Sequence, residues 1–360
     1  MPPWNDGSKN LVRDVASHLA RVSPIVLTDG SETSLPSSVR RDDVYVTSGA
    51  FTPALEANAR VFGRLVLGER AAAWHFVFAP NPASSYAARA ARTMGRMRGP
   101  VFQTIASAPK SFEGVSKLLF GDVLIALSEH TKSRLLAAGA KKRIVVVPPC
   151  AALPAAARGI ARGSARTVAR QALGLSETDV VALYPGDYEV STGARTVASA
   201  AAALVREGVR VVFACRAKTM RAGAARKEVE GLHADASANS AKGMAPLHVG
   251  EVKDMWQWIA AADVVLFPVD ELYGKVDLPL VLLEALALGK PVVVADGGPL
   301  PELGACTVVP PRDSEALARA ALALLRTPPK AEDLVAHYEN HFSPAVVAGK
   351  YDALYEESGL

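Results

Sequence analysis

The chain has 360 residues, half of them hydrophobic and about a fifth charged, with a formal net charge of +4 and three cysteines. That length accommodates two domains with cores of their own, and the charge is too small to point to a nucleic-acid partner. No apolar run reaches the ~18 to 20 residues of a membrane span, the opening MPPWNDGSKN has no signal-peptide core, and the scattered Cys150, Cys215 and Cys306 fit reduced thiols in a cytoplasm rather than a disulfide framework or a zinc site.

In chain order, the turn Asn5-Asp6-Gly7-Ser8 comes first and leads into a helix over 9–21. An α/β domain normally opens on a buried strand before such a turn, so a first strand is missing here or the first sheet is built differently. Apolar runs then predict strands over 25–28, 44–46, 74–79, 101–105, 123–128 and 144–147, with helical stretches between them. The segment YAARAARTMGRMR carries Arg89, Arg92, Arg96 and Arg98 with no acid. With the lysines and arginines from 110 to 143 it makes a basic N-terminal half, which reads as a solvated helix face or as a surface for an anionic membrane or phosphorylated acceptor. A boundary falls at Pro148-Pro149, followed by an Ala/Arg/Gly-rich linker and a helix.

The second half repeats the pattern, with strands expected over 180–184, 209–214, 247–249, 264–268, 292–295 and 307–309. Alternation of this kind predicts two doubly wound α/β domains. The chain closes on HFSPAVVAGKYDALYEE, where Ser343 suits an N-cap and Pro344 the first helical position.

The most informative stretch is 263–303, DVVLFPVDELYGKVDLPLVLLEALALGKPVVVADGGPLPEL. It is one strand–helix–strand unit of a parallel sheet, and its polar loop sits at the carboxyl end of a strand, where open α/β sheets bind ligands. One acid, Glu284, interrupts an oily helix, and a carboxylate there is costly unless it finds partners. No Asp-x-Asp at a strand end, His-Glu-x-x-His, Cys-x-x-Cys or Gly-Lys-Ser/Thr loop occurs.

Gly274, Leu278-Pro279, Leu283-Glu284-Ala285 and Gly289-Lys290-Pro291-Val292 resemble the donor-site signature of the GT-B glycosyltransferases, in particular the retaining enzymes of family 4. The resemblance implies two Rossmann-like domains facing across a cleft: an acceptor-side domain over 1–149 with a C-terminal helix over 343–360 packing back on it, and a nucleotide-sugar domain over 150–342. It implies Glu284 as the carboxylate that grips the donor ribose, with Gly186, Lys275, Asp277 and Leu278 lining the donor site. Asp277 shares a helical face with Glu284, and an Asp just before Leu-Pro also suits an N-cap. His75 matches a sugar-contacting histidine and stands as the catalytic candidate; a core histidine satisfied by the backbone is the alternative. Gly7, Glu129 and His130 are expected on the acceptor side.

The pattern departs from the family at three places. Val276 stands where an acid is usual, and Asp187 and Thr192-Gly193 stand where Arg and Lys-Gly are usual. Arg216 and Lys218, after the next strand, are the expected substitutes for the diphosphate cations. The chain is thus expected to be a cytoplasmic glycosyltransferase, with possible membrane association, moving a sugar from a nucleoside-diphosphate sugar to an unidentified acceptor. It would retain anomeric configuration and need neither metal nor cofactor. A sugar-nucleotide epimerase and a catalytically degraded binding homologue are the alternatives.

Overall fold

Parallel sheets buried on both faces demand near-continuous β-branched and aromatic runs, and this chain supplies them in VFQTI, VLIA, VVALY, VVLF and VVVA. The structure, a computed structural model, describes residues 7–29, 35–45, 55–68, 71–94, 97–158, 162–217, 219–233 and 245–360. In chain order its elements begin with α1 (Gly7–Ala16), β1 (Ile25–Thr28), β2 (Arg40–Asp43), α2 (Leu55–Leu67), β3 (Trp74–Val77) and α3 (Pro82–Thr93). They continue through β4 (Val101–Ile105), β5 (Val123–Ala126), α4 (Glu129–Ala137), β6 (Arg143–Val146), α5 (Ala155–Arg158) and α6 (Arg162–Leu173). Next come β7 (Val180–Tyr184), α7 (Gly193–Arg206), β8 (Val209–Phe213), α8 (Met220–Leu232), β9 (Leu247–His248), α9 (Met255–Ala261) and β10 (Val264–Phe267). Last are α10 (Leu280–Ala287), β11 (Val292–Ala295), β12 (Thr307–Val309), α11 (Ser314–Arg326), α12 (Ala331–His341) and α13 (Pro344–Glu356).

Contacts divide the chain into two units. The first comprises Met1–Ala151, Tyr273–Pro279 and His341–Leu360. Its strands pair in parallel as β3-β4-β5-β6, and separately as β1-β2. Residues 1–6, on which the expectation of a missing first strand turns, lie outside the described residues. The core is filled by Ile105, Val115, Leu119, Leu124 and Leu135 in one cluster and by Leu65, Ala91, Val101 and Phe120 in another. Gln103 is fully buried within β4, and its carboxamide accepts from Phe120 N–H (2.8 Å) and Gly121 N–H (3.2 Å), which is what makes its burial tolerable.

Two expectations shift here. The strand predicted over 44–46 is instead Arg40–Asp43, whose RRDD side chains are mostly exposed. Its pairing with β1 is a backbone matter that apolar patterning does not reveal, and it ends where Val44 and Tyr45 N–H both reach Thr28 O at 2.9 Å. The helix predicted over 9–21 stops at Ala16, because Ala20 and Arg21 N–H donate to the buried Asp352 carboxylate (2.9 and 3.3 Å) rather than to helical carbonyls. Asp352 belongs to α13, so the C-terminal helix is part of this unit's fabric.

The second unit comprises Ala152–Leu272 and Leu280–Asn340. Its six parallel strands run β12-β11-β10-β7-β8-β9. The first strand lies inside, the chain winds outward one way and then returns to wind the other, and β7/β10 is the switch point beyond whose carboxyl ends such folds bind ligands. Arg170 is fully buried and acts as a hub. It donates to Ser176 O (2.7 Å), Glu177 O (3.1 Å), Asp179 O (2.7 Å), Ala261 O (3.1 Å) and the Asp263 carboxylate (2.8 Å). Asp263 in turn accepts Val181 N–H at 2.8 Å, so this network pins α6 to the entry of β7 and β10.

Candidate functional site

The second unit carries its polar loops where the switch point predicts them. β7 leads into Pro185-Gly186-Asp187, and the Asp187 carboxylate accepts Glu189 and Val190 N–H (3.1 and 2.7 Å), closing a tight turn. A Cβ on Gly186 would land on the buried Tyr184 ring, whose hydroxyl donates to Asp187 O at 3.0 Å. The glycine at this position therefore has a packing reason of its own. Arg216 follows β8, is exposed, and its backbone bridges to Asp187. Lys218, its expected companion, lies outside the described residues.

Glu284 sits half-buried in α10 between the fully buried Leu283 and Ala285. The segment before it behaves differently. Tyr273–Pro279 belongs to the first unit, where Tyr273 bridges to Ala108, Lys275 O accepts Ala108 N–H at 3.3 Å, and Gly274 N–H donates back to Ala108 O at 3.4 Å. Asp277 is 2% exposed and accepts from Ser128 Oγ at 2.5 Å. Leu278 is buried beside it and Lys275 is half-buried. Ser128 also caps α4 by accepting Thr131 N–H at 3.0 Å, so one hydroxyl joins a helix start to the incoming loop. Asp277 makes this tie three residues before α10 begins.

In the first unit His75 lies in β3 with both ring nitrogens engaged, Nδ1 with Tyr355 OH and Nε2 with Thr104 Oγ1, each at 2.7 Å. Tyr351, Tyr355 and Phe102 pack around the ring. Burial pushes its pKa down to about 4, so it is neutral near pH 7. Glu129 and His130 open α4, exposed and half-buried respectively, with Glu129 paired to Lys132 at 3.1 Å. Gly7 is the first residue of α1. Two arginines of the basic segment are spent on their own unit, Arg89 donating to Leu119 O (2.9 Å) and Arg92 Nη2 to both Asp122 carboxylate oxygens (2.9 Å each), and Lys142 from further along the chain donates to Phe120 O and Gly121 O (2.9 and 2.6 Å); Arg96 lies outside the described residues. Three cations thereby secure one loop.

The second unit also holds a cleft of roughly 500 Å³ at the carboxyl ends of β7, β8 and β10 that the sequence did not announce. Arg195, Arg221 and Arg312 line it together with Thr192 and Asp270. Asp270 accepts Thr192 N–H at 2.9 Å and Arg312 Nε at 2.7 Å. Burial alone would raise the Asp270 pKa, but these hydrogen bonds outweigh it and hold the carboxyl below its ordinary value. Arg312 has a φ of 63°, a left-handed conformation among the described residues that here falls on a residue other than glycine. The signal for Asp270 was its place just past β10; nothing in Pro310-Pro311-Arg312-Asp313 marks Arg312 in the sequence. Among the described residues, no group of three or more His, Cys, Asp or Glu is placed to hold a metal, and no helix is long and apolar enough to cross a membrane.

Residues 179–327 match the family model of glycosyl transferases group 1. No curated protein matches the chain in sequence. Solved structures match it along nearly its whole length. The Anabaena protein Alr3699/HepE, in complex with UDP and glucose, superposes with a TM-score of 0.73 at 17% identity, covering 100% of this chain and 98% of that one. A glycosyltransferase from Rickettsia africae gives 0.70 at 15% identity over 99% and 97%. A sucrose-phosphate synthase from Thermosynechococcus elongatus gives 0.70 at 19% identity over 96% and 91%. At these identities the likeness shows the fold.

Proposed function

We propose that this chain, whose residues 179–327 match the glycosyl transferases group 1 model and whose whole length takes a GT-B fold of two Rossmann-like units, is a glycosyltransferase that takes its sugar from a nucleoside-diphosphate sugar, retains the anomeric configuration as family 4 enzymes do, and acts in the cytoplasm. The observation that carries this reading is Glu284, a half-buried carboxylate in an otherwise apolar helix inside the matched region. A carboxylate accepts two hydroxyl hydrogen bonds, which is what a ribose diol offers. The HepE structure binds UDP-glucose, which supports a nucleotide sugar as the donor class.

The chemistry follows from charge. As the glycosidic oxygen departs, negative charge builds on the diphosphate, and fixed donors aimed at it lower the barrier. We assign that task to cations at the carboxyl ends of β7 and β8, Arg216 among them. Gly186 lets the backbone turn close to the phosphates. We assign His75 a positioning role rather than proton transfer, because both its nitrogens are held by hydroxyls.

The test is an incubation of the full chain with UDP- and GDP-sugars, alone and with hydroxylated acceptors, followed by NMR. Acceptor-dependent release of nucleoside diphosphate and an anomeric product of unchanged configuration are expected. Conversion of the nucleotide sugar without any acceptor would place the chain among the epimerases instead.

A further inference from the structure

We propose that Lys290, at the amino-terminal edge of the second unit's sheet, is a modification site, a nucleophilic amine acylated by small acyl phosphates. This edge lies opposite the carboxyl ends where such sheets bind ligands, so Lys290 stands apart from the donor chemistry assigned above. Local structure fixes its place. Gly289, left-handed at φ 67°, closes the end of α10: its N–H donates to Leu286 O and Lys290 N–H to Ala285 O, each at 2.9 Å. Pro291 cannot continue the helix, and its carbonyl accepts Val265 N–H at 2.9 Å as β11 starts beside β10. The two strands pair in parallel with Val265 opposite Val292, so two residues back Asp263 and Lys290 stand side by side.

A lysine beside an aspartate ordinarily forms an ion pair with it, but this carboxylate is already taken. Asp263 Oδ1 accepts from Arg166 Nε and Nη2 (3.3 and 3.2 Å), and Oδ2 accepts from Arg170 Nη2 and Val181 N–H (2.8 Å each). Glu177, the other acid of the cluster, is held by Arg166 at 2.7 Å, and Asp179 faces its own cation, Arg210, at 3.8 Å. Lys290 is half-buried, and its ammonium has no acceptor among the described residues. With Lys290 charged, it joins Arg166 and Arg170 against only Asp263 and Glu177; with Nζ neutral, the two arginines and the two acids balance. Burial disfavours the charged form, the pull of Asp263 does not restore it, and Arg166 and Arg170 add to the push, so the Lys290 pKa falls to about 8.

A lysine desolvated beside other cations is a nucleophile at neutral pH. The Nζ lone pair attacks the acyl carbonyl carbon, the C–N bond forms and the C–O bond to phosphate breaks. Orthophosphate leaves, and the amine's proton goes to water. The product amide carries no charge, which is the balanced state of the cluster. An acyl phosphate suits this place better than a neutral acyl donor, because the partly exposed guanidinium of Arg166 attracts its negative charge.

The experiment incubates the full chain with acetyl phosphate from pH 6.5 to 9.5 and follows acetylation of each lysine by peptide mass spectrometry. The exposed Lys227, Lys330 and Lys350 serve as references. A pKa of about 8 in place of 10.5 enlarges the free-amine fraction at pH 7.5 by ~100-fold, and the weaker basicity takes part of that back, so Lys290 should react about 10-fold faster than the references. Its rate should level off above pH ~9 while theirs keep climbing. Arg166→Gln removes one opposing cation and opens Asp263 Oδ1 to the lysine, so Lys290 should slow several-fold at pH 7.5 with the references unchanged. Should that variant fail to fold, the wild-type rates and pH profile decide alone. Lys290 acetylated no faster than the references, a rate still climbing at the top of the pH range, or a folded Arg166→Gln that leaves the Lys290 rate unchanged overturns the proposal.

Discussion

Replacing His75 by glutamine separates a core histidine from a proton-transfer catalyst. In the folded chain the ring is closed in by Tyr351, Tyr355 and Phe102, and burial lowers its pKa from 6.5 to about 4. The native state therefore binds fewer protons than the unfolded state between those two values, and stability falls as pH falls through that window. At ~1.4 kcal/mol per pH unit the loss attributable to His75 reaches about 3 kcal/mol by pH 4. Above pH 6.5 the contribution is complete and flat. His248 is also lowered to about 4, by burial first and then by the neighbouring His233, so the wild type alone does not isolate the effect; the difference between wild type and His75→Gln does. Urea unfolding from pH 7.5 to 4, followed by the transition of the first unit, is the assay. The variant should lose some stability at pH 7, because its carboxamide replaces two ring hydrogen bonds imperfectly, and show a pH dependence shallower by about 3 kcal/mol over the window. Parallel curves for the two proteins would refute the reasoning, as would an NMR titration placing the His75 pKa near 6.5.

Arg170→Ala should cost about 3–5 kcal/mol in the second unit, because Ala261 O and Asp179 O lose their donor, Ser176 O and Glu177 O fall back on Asp179 N–H and Arg166 (3.2 Å each), and the Asp263 carboxylate keeps only Arg166 (3.2 Å) and Val181 N–H; denaturant titration measures it. Gly186→Ala should destabilise by about 1–3 kcal/mol, since the added methyl meets the buried Tyr184 ring, and differential scanning calorimetry would show the lowered Tm. Ser128→Ala should cost more than an ordinary cap loss of about 1 kcal/mol, because it also strips a donor from the buried Asp277; a double-mutant cycle with Asp277→Asn should return a coupling of about 1 kcal/mol or more.

Much of the fold could be read from residue order because parallel strands buried on both faces leave little choice of sequence. VVALY, VVLF and VVVA became β7, β10 and β11 with bounds within a residue of expectation. β2 escaped because RRDD is an edge strand whose side chains face solvent. Patterning could not show that Tyr273–Pro279 joins the first unit, since Asp277 is tied to a partner 149 residues away, the Ser128 hydroxyl. His75 was legible as a candidate, but its hydroxyl partners come from another strand and from the last helix. Arg89 and Arg92 looked like a free basic face until their carbonyl and carboxylate acceptors were seen. The cleft was invisible for a related reason: Arg221 opens a helix and Arg312 sits in a distant loop, and neither has a sequence signal beyond its charge.

The most direct test is calorimetric titration of UDP and GDP into the full chain and into Glu284→Ala. If the carboxylate grips the ribose, the wild type binds one of them and the variant binds it about 10-fold or more weakly, as loss of a charged hydrogen-bond acceptor requires, with an unchanged melting temperature in the absence of nucleotide. Equal affinities for the two proteins, or no heat from either nucleotide at millimolar concentration, would contradict the account.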